Sequence, residues 1–428
     1  MPHTDPPHPN FPSRTSRTCR IADLRPDRPC VLAGRISTDR GSFYLSDETG
    51  SVRLKAEKGL VAGTIVEIAG SWRNGTFENT SLKVLVRSAI ASAQRPDIRH
   101  PDRLRAHRFR AVVLREIRTF FDRQGFIEVE TPLLIRSPGM EPHLRAFETE
   151  SESGRRLYLP TSPEYAMKRL LSEGLERIYQ LCKSFRDEAP STFHNPEFTM
   201  LEWYRAYSDY REIAADTESL VAHVAKRVTG STRLTFRRID VDVSTPWERL
   251  SVREAFCRYS DVDGDPCGDP GAFLASAKTS KSTSLDDRDD FDSAFFKIFL
   301  DQIEPNLGSP RPTILTDYPA SMAALAKRST DSPEIAERFE VYIAGIELAN
   351  AFTELNDPAE QRNRLESESA KRASLGAPEY AIDESFLDAL RSGVPPSGGI
   401  ALGVDRLIML LSDTDHIADV LAFPFPEL

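Results

Sequence analysis

Apolar residues recur along this chain in two rhythms, and the change from one to the other marks its organisation. Over residues 30–86 they fall in short runs that alternate with polar residues, at 31–37, 42–46, 51–56, 64–72 and 82–86. Asp39-Arg40-Gly41, Asp47-Glu48-Thr49-Gly50 and Asn74-Gly75 supply turns between them. Five short strands at that spacing predict a small barrel of the OB type. From 106 to 124 the rhythm turns helical, through Phe109, Val112, Val113, Ile117, Phe120 and Phe121, and Gly125 ends it. An alternating strand then closes at Pro132. The chain is read as α+β: a disordered tail over 1–18, the barrel over 19–90, a polar linker over 91–105 and a larger domain over 106–428.

The larger domain concentrates its chemistry in residues 181–207. Phe185-Arg186-Asp187-Glu188 ends one strand, 189–196 is turn-rich, and Glu197 to Tyr204 returns as a second strand. Such a hairpin suits a nucleotide. Arg186 offers a planar fork for a phosphate, Phe198 a flat face for a base, and His194 a further donor. Upstream, Ser162 is placed to cap a helix running to about Ser172, with Pro163 in the first turn, where no amide donor is needed.

Residues 261–292 form a polar, acidic insertion. Its Asp261-x-Asp263-x-Asp265 spacing fails as a calcium loop, because Pro266 stands where glycine is required. A helix is expected at 295–303 and a strand at 313–319. Residues 338–348 read as two strands around a turn at Gly345. Glu347 and Glu354 lie seven apart, so a regular strand would point them to opposite faces; sharing a site requires a turn or bulge near Asn350-Ala351. Residues 357–375 form a charged helix, and 398–407 form a glycine-rich strand entering a helix with Arg406 in its first turn.

Composition narrows the class. The 428 residues are 40% hydrophobic and 28% charged, ordinary for a soluble globular protein. No apolar run approaches the roughly 20 residues of a membrane span, and the N-terminus lacks the apolar core of a secretory signal. The five cysteines (Cys19, Cys30, Cys182, Cys257, Cys267) include no C-x-x-C pair, so a reducing cytoplasm is expected. Residues 1–110 carry 19 Lys and Arg against 11 Asp and Glu, on a chain whose net charge is −10. A basic front on an acidic body fits a polyanion or an acidic protein, or only a solvated surface. Phe43, Tyr44, Trp72 and Phe77 are the aromatics that could stack on a nucleic acid if the barrel binds one.

Three segments, in this order and separation, resemble motifs 1, 2 and 3 of class II aminoacyl-tRNA synthetases. They are the strand closed by Pro132, the Phe185-Arg186-x-Glu188 hairpin with its distal Phe198, and the glycine-rich strand leading to Arg406. The resemblance covers residues 95–428 and is nearest to the lysyl branch. It implies an antiparallel sheet flanked by helices, a dependence on ATP and Mg²⁺, and a homodimer formed through motif 1.

By the same resemblance Arg186 and Arg406 are the catalytic residues. Arg186, Asp187, Glu188, His194, Asn195, Phe198, Glu347, Leu348, Gly403 and Arg406 hold ATP, and Glu347 and Glu354 carry the metal. Ser162, Pro163, Glu164, Glu202, Tyr204 and Glu354 surround the amino acid. Thr161 to Tyr165, Gln180 to Arg186, Leu201 to Arg205 and Gly345 to Asn350 look like the ligases that pass lysine or (R)-β-lysine to a lysine of elongation factor P. A lysyl-tRNA synthetase charging tRNA is the alternative, and a non-catalytic synthetase-like RNA-binding regulator a third reading. Ala401 stands where synthetases of this branch usually have glycine, which fits a reshaped amino-acid pocket. Asp187 replaces a usual asparagine, Ala351 replaces the ligases' usual glycine, and those ligases usually lack an N-terminal barrel.

Overall fold

The computed structural model describes residues 15–39, 41–55, 60–87 and 101–427. The expected tail up to residue 14, and the expected linker up to residue 100, lie outside the described residues. The chain divides into two compact units, Met1–Arg108 and Phe109–Pro426.

In the first unit β1 (Cys30–Asp39), β2 (Ser42–Asp47), β3 (Gly50–Leu54), β4 (Ile65–Arg73) and β5 (Thr76–Val86) close in the order β1-β2-β3-β5-β4. β4 returns to pair with β1, and β3 with β5 is the parallel pair, the connectivity of the OB type. Alternation turns Leu32, Ile36, Leu45, Val52, Leu54, Val66, Ile68 and Phe77 inward. The fifth strand starts at Thr76 and not at the expected Leu82. Asn74 and Gly75, at φ 46° and 78°, form a tight hairpin that leads straight into it. Phe77 is therefore a buried core residue and offers no stacking face, while Phe43 and Trp72 pack half-buried against the same core.

The second unit is built on an eight-stranded sheet, ordered β13-β14-β15-β16-β17-β10-β9-β6. Its strands are β6 (Ile127–Glu128), β9 (Arg177–Phe185), β10 (Glu197–Ala206), β13 (Glu248–Ser251), β14 (Thr313–Pro319), β15 (Ile335–Ile343), β16 (Ile346–Thr353) and β17 (Ser397–Gly403). Pairing is antiparallel except at the two ends. Two ribbons lie outside it, β7 (Glu148–Glu150) with β8 (Arg156–Tyr158), and β11 (Arg233–Phe236) with β12 (Ile239–Asp242).

One face of the sheet is covered by α1 (Pro101–Arg123), α3 (Tyr210–Thr229) and α9 (Val404–Ser412), through Val113, Ile117, Phe121, Leu220, Val224, Leu407 and Ile408. Phe121 stacks on Tyr179 with ring centroids 4.5 Å apart. α1 begins at Pro101, five residues before the expected Ala106, because proline suits a first helical turn. α2 (Glu164–Ser172), α7 (Pro358–Ser374) and α8 (Glu384–Gly393) pack a separate core with Tyr204. α4 (Val252–Tyr259), α5 (Pro270–Ala277) and α6 (Phe291–Ile298) build a third, around Phe256, Phe273 and Phe295. The acidic insertion is thus folded. Asp261 accepts from the amides of Lys281 and Ser282 at 2.8 and 3.1 Å, and Asp290 caps α6 four residues ahead of the expected start. Among the described residues no helix is long and apolar enough to cross a membrane.

One buried ion pair joins three of these elements. Asp405 of α9 pairs with Arg110 of α1 and accepts from the Thr199 amide of β10 at 2.7 Å. Arg110 also donates to Thr199 Oγ1 at 2.6 Å. Removing one member leaves the other charge buried without its partner, so Asp405→Ala should lose about 3 kcal/mol in urea unfolding. A loss below about 1 kcal/mol, the range of exposed pairs, would show the pair to be dispensable.

Candidate active site

The free face of the sheet carries a cavity of about 740 Å³. β10 supplies its floor. Phe198, Met200, Glu202 and Tyr204 alternate toward the cavity, while Leu201 and Trp203 point into the helical core behind. β17 lies beside it in fixed register, pairing Met200 with Gly403, Glu202 with Ala401 and Tyr204 with Gly399. Gly399 has no space for a side chain. A Cβ there would stand 2.1 Å from Glu354 Oε1 and 2.4 Å from the Tyr204 ring.

β16 forms the next wall, and its bulge settles how Glu347 and Glu354 share a face. Val341 pairs with Ala349, but Tyr342 pairs with Glu347, so Leu348 is the extra residue. The bulge sits at Leu348 and not at Asn350-Ala351. It brings Glu347, Asn350 and Phe352 into one row on the cavity, with Glu354 next along the row.

At one end the cavity presents cationic groups. Arg186 leaves β9 with its amide on the Pro196 carbonyl at 2.9 Å. Its guanidinium lies 5.2 Å over the Phe198 ring, and its buried Nε has no hydrogen-bond partner. Arg406 donates to the Glu347 carbonyl and to His194 Nε2, each at 2.6 Å. Arginine can only donate, so His194 carries its proton on Nδ1, toward Ser191 Oγ at 3.0 Å. Burial and the nearby Arg406 push the His194 pKa down, so the ring is neutral. Glu188 lines the same space.

Asp187 points elsewhere and pairs with Arg145 at 3.1 Å. Asn195 is committed to the backbone at both ends, donating to the Glu197 carbonyl at 2.6 Å and accepting from the Phe425 amide at 2.9 Å. Burial and Glu340 raise the Glu347 carboxyl. Glu340 itself accepts from Tyr318 and Tyr342, each at 2.6 Å, and from Arg338 at 2.7 Å. No group of three or more metal-ligating side chains is found among the described residues.

The other end is a carboxylate pocket. Pro163 occupies the N-cap of α2, and Ser162 Oγ accepts from the Glu164 amide at 3.3 Å. Four residues on, Lys168 Nζ stands 2.6 Å from Glu164 Oε1 and 2.5 Å from Glu354 Oε2, almost fully buried. Glu354 is therefore tied to Lys168, whereas Glu347 faces Glu340 and Arg406; the two expected metal carriers have separate neighbourhoods. Tyr204 donates to Glu202 Oε2 at 3.0 Å, and Glu202 Oε1 is buried with no partner. Burial, and then Glu164, hold the Glu202 carboxyl well above the usual range. Lys168 was not anticipated, although its spacing of four from Glu164 on one helix was a legible signal. Glu340 and Glu141, which also line the cavity, gave no signal in the sequence.

An antiparallel sheet of this order, with arginines at one end of its cavity and buried carboxylates at the other, is the frame of an amino-acid-activating enzyme. Residues 91–427 match the family model of class II tRNA synthetases (D, K and N). The chain belongs to that family and is an ATP-dependent ligase. It is similar to the elongation factor P–(R)-β-lysine ligases of Salmonella arizonae, Salmonella paratyphi B and Salmonella schwarzengrund. Each is 42% identical over 319 residues, which cover 73% of this chain and 93% of the relative. A ligase of this kind leaves no room for the non-catalytic regulator.

The partnerless Glu202 oxygen predicts proton release. An arriving ammonium lowers a carboxyl that burial had raised, so lysine binding near neutral pH should expel a proton. Calorimetry in buffers of different ionisation enthalpy reads it directly. Glu202→Gln should abolish the release and weaken binding by about a hundredfold or more, the cost of an unpaired buried charge. Buffer-independent heats with the unaltered protein would refute this role.

Proposed function

We propose that the protein activates lysine or (R)-β-lysine as an acyl-adenylate and passes it to a lysine side chain of elongation factor P. The observation that carries this reading is the partnerless buried carboxylate of Glu202, facing Ala401 on the neighbouring strand. The relatives carry the same activity in their names.

In the first step a substrate carboxylate oxygen attacks the α-phosphorus of ATP and pyrophosphate leaves. Negative charge grows on the phosphoryl oxygens, so fixed cations matter more than a base. Arg186 meets that charge once its guanidinium moves off the Phe198 ring and frees the ring for adenine. Arg406 covers the other face of the base, held by the Glu347 carbonyl and His194. Glu188 accepts from the adenine amino group, and His194 contacts the phosphate tail. Mg²⁺ neutralises the phosphates when bound; Glu347 would hold it, since such an ion needs few protein ligands. Glu202 and Tyr204 receive the far ammonium, and Glu164 lies toward the amino group nearer the carboxylate. The Ala401 methyl takes space beside Glu202 that glycine would leave open, which favours a substrate whose amino group sits differently from α-lysine.

A lysyl-tRNA synthetase is the second reading, and the closed five-stranded barrel favours it. The exposed apolar side chains Ile127, Leu133 and Leu134 beside β6 support a homodimer. Such an enzyme works in the cytoplasm, beside the translation machinery.

Arg186→Ala should lower ATP–pyrophosphate exchange by roughly a hundredfold or more, with unchanged urea unfolding. Retained exchange would remove the nucleotide assignment. Offered (R)-β-lysine, ATP, elongation factor P and lysine tRNA together, the enzyme should label the factor. Labelled tRNA with an unlabelled factor would establish the synthetase instead.

A further inference from the structure

The cavity does not end at the amino-acid pocket. It continues into an arm lined by Glu141, His143, Asp292, Phe296, Glu368 and Lys371. None of these side chains has a part in adenylate formation as described above. The transfer step, however, meets a difficulty that the first step does not. An acceptor lysine arrives as an ammonium, and an ammonium has no lone pair with which to attack a carbonyl.

Glu141 stands at the inner end of the arm. It feels the charges of Glu164, Arg186 and Arg372, which places it between the amino-acid pocket and the phosphate-binding arginine. Its Oε2 is closed off from solvent and has no hydrogen-bond partner. The position is built for it: a Cβ on Gly139 would stand 2.2 Å from that same oxygen. Arg372 makes no ion pair with it: its guanidinium donates to the carbonyls of Glu141, Leu144 and Pro378 at 2.6 to 3.1 Å, and its charge reaches the Glu141 carboxyl only through space.

Glu368 stands further out. The groups that face it are Glu141 from the loop before β7, Asp292 from α6, and Arg364 and Lys371 from its own helix; Tyr165 of α2 feels its charge as well. Both cations are engaged elsewhere. Lys371 pairs with Asp292, and Arg364 donates to the carbonyls of Ala324 and Ala326 at 2.8 and 2.7 Å. Among the described residues Glu368 forms no ion pair of its own, and Lys371 and Arg364 act on it only through space.

We propose that this arm is the entry for the acceptor amine, and that Glu141 and Glu368 receive its ammonium and take its proton. This deepens the reading above, because an amine acceptor requires such a base and a tRNA hydroxyl, already neutral, does not. The acceptor ammonium gives one proton to the Glu368 carboxylate, and the freed lone pair forms a bond to the acyl carbon. The acyl–phosphate C–O bond then breaks, and AMP leaves with that electron pair. The second nitrogen proton passes to solvent, leaving an amide. Burial and the neighbouring Glu141 raise the Glu368 carboxyl to about 7, where it can both accept and return a proton.

The test separates the two half-reactions. Glu368→Gln and Glu141→Gln should keep ATP–pyrophosphate exchange, which also shows that the variants fold. Transfer of (R)-β-lysine to elongation factor P should fall about a hundredfold in each. In the unaltered enzyme transfer should climb with pH through about 7 as Glu368 loses its proton; Glu368→Gln should flatten that limb. Normal transfer and an unchanged pH profile in both variants would overturn the inference while leaving the proposed function standing. If the unaltered enzyme does not label the factor, the proposed function fails instead. The arm is then tested by AMP release with Nα-acetyl-lysine amide as acceptor, where equal release by variants and unaltered enzyme overturns it.

Discussion

The site rests on an uneven count of buried charge. Glu164, Glu202 and Glu354 converge on a pocket where, among the described residues, Lys168 is the cation paired with carboxylates, and it is taken by two of the three. A carboxylate deprived of water has two ways out: hold its proton, or wait for a cation. Glu202 is in that position, with Tyr204 on one oxygen and nothing on the other. The pocket therefore asks for a substrate that brings its own ammonium, and lysine or β-lysine answers. Lys168 also holds Glu354 in place.

Backbone register does the placing. β10, β17 and β16 are adjacent strands of one sheet, so the arginine end and the carboxylate end of the cavity are held at fixed separation by their ladders. Gly399 lets Glu354 and Tyr204 occupy the same layer, and the bulge at Leu348 restores the face that an odd spacing would have lost. The Arg110–Asp405 pair fastens the start of α9 to β10, next to Arg406. A change in any of these would move side chains that the chemistry needs within fractions of an ångström.

The two ends of the cavity divide two kinds of chemistry. Adenylation builds negative charge, and Arg186 and Arg406 line the cavity. Aminolysis begins with a positive charge that must be discharged, and the acidic arm beyond Glu164 has the opposite sign. Both sets of groups line one cavity, Arg406 and Arg186 with Glu164, Glu141 and Glu368.

Much of this was legible in the sequence, for reasons tied to short range. Strand alternation and the Asn74-Gly75 turn are set by neighbouring residues, so barrel and hairpin can be read from pattern alone, whereas α6 starts at its Asp290 cap, ahead of the expected start. Arg186, Phe198, Glu347 and Arg406, singled out by their order along the chain, line one cavity in the fold. Other features depend on pairs far apart. Lys168 meets Glu354 across more than half of the unit's sequence, Glu368 feels the charge of Glu141, and Asn195 spends its side chain on Phe425. The bulge at Leu348 was required by the spacing of Glu347 and Glu354, yet its position was chosen by pairing with β15. The sequence by itself determined which groups are present and which faces are apolar, because those follow from local periodicity. Only the tertiary structure decided which carboxylates are already neutralised and which still want a cation, because burial and partners belong to the folded chain.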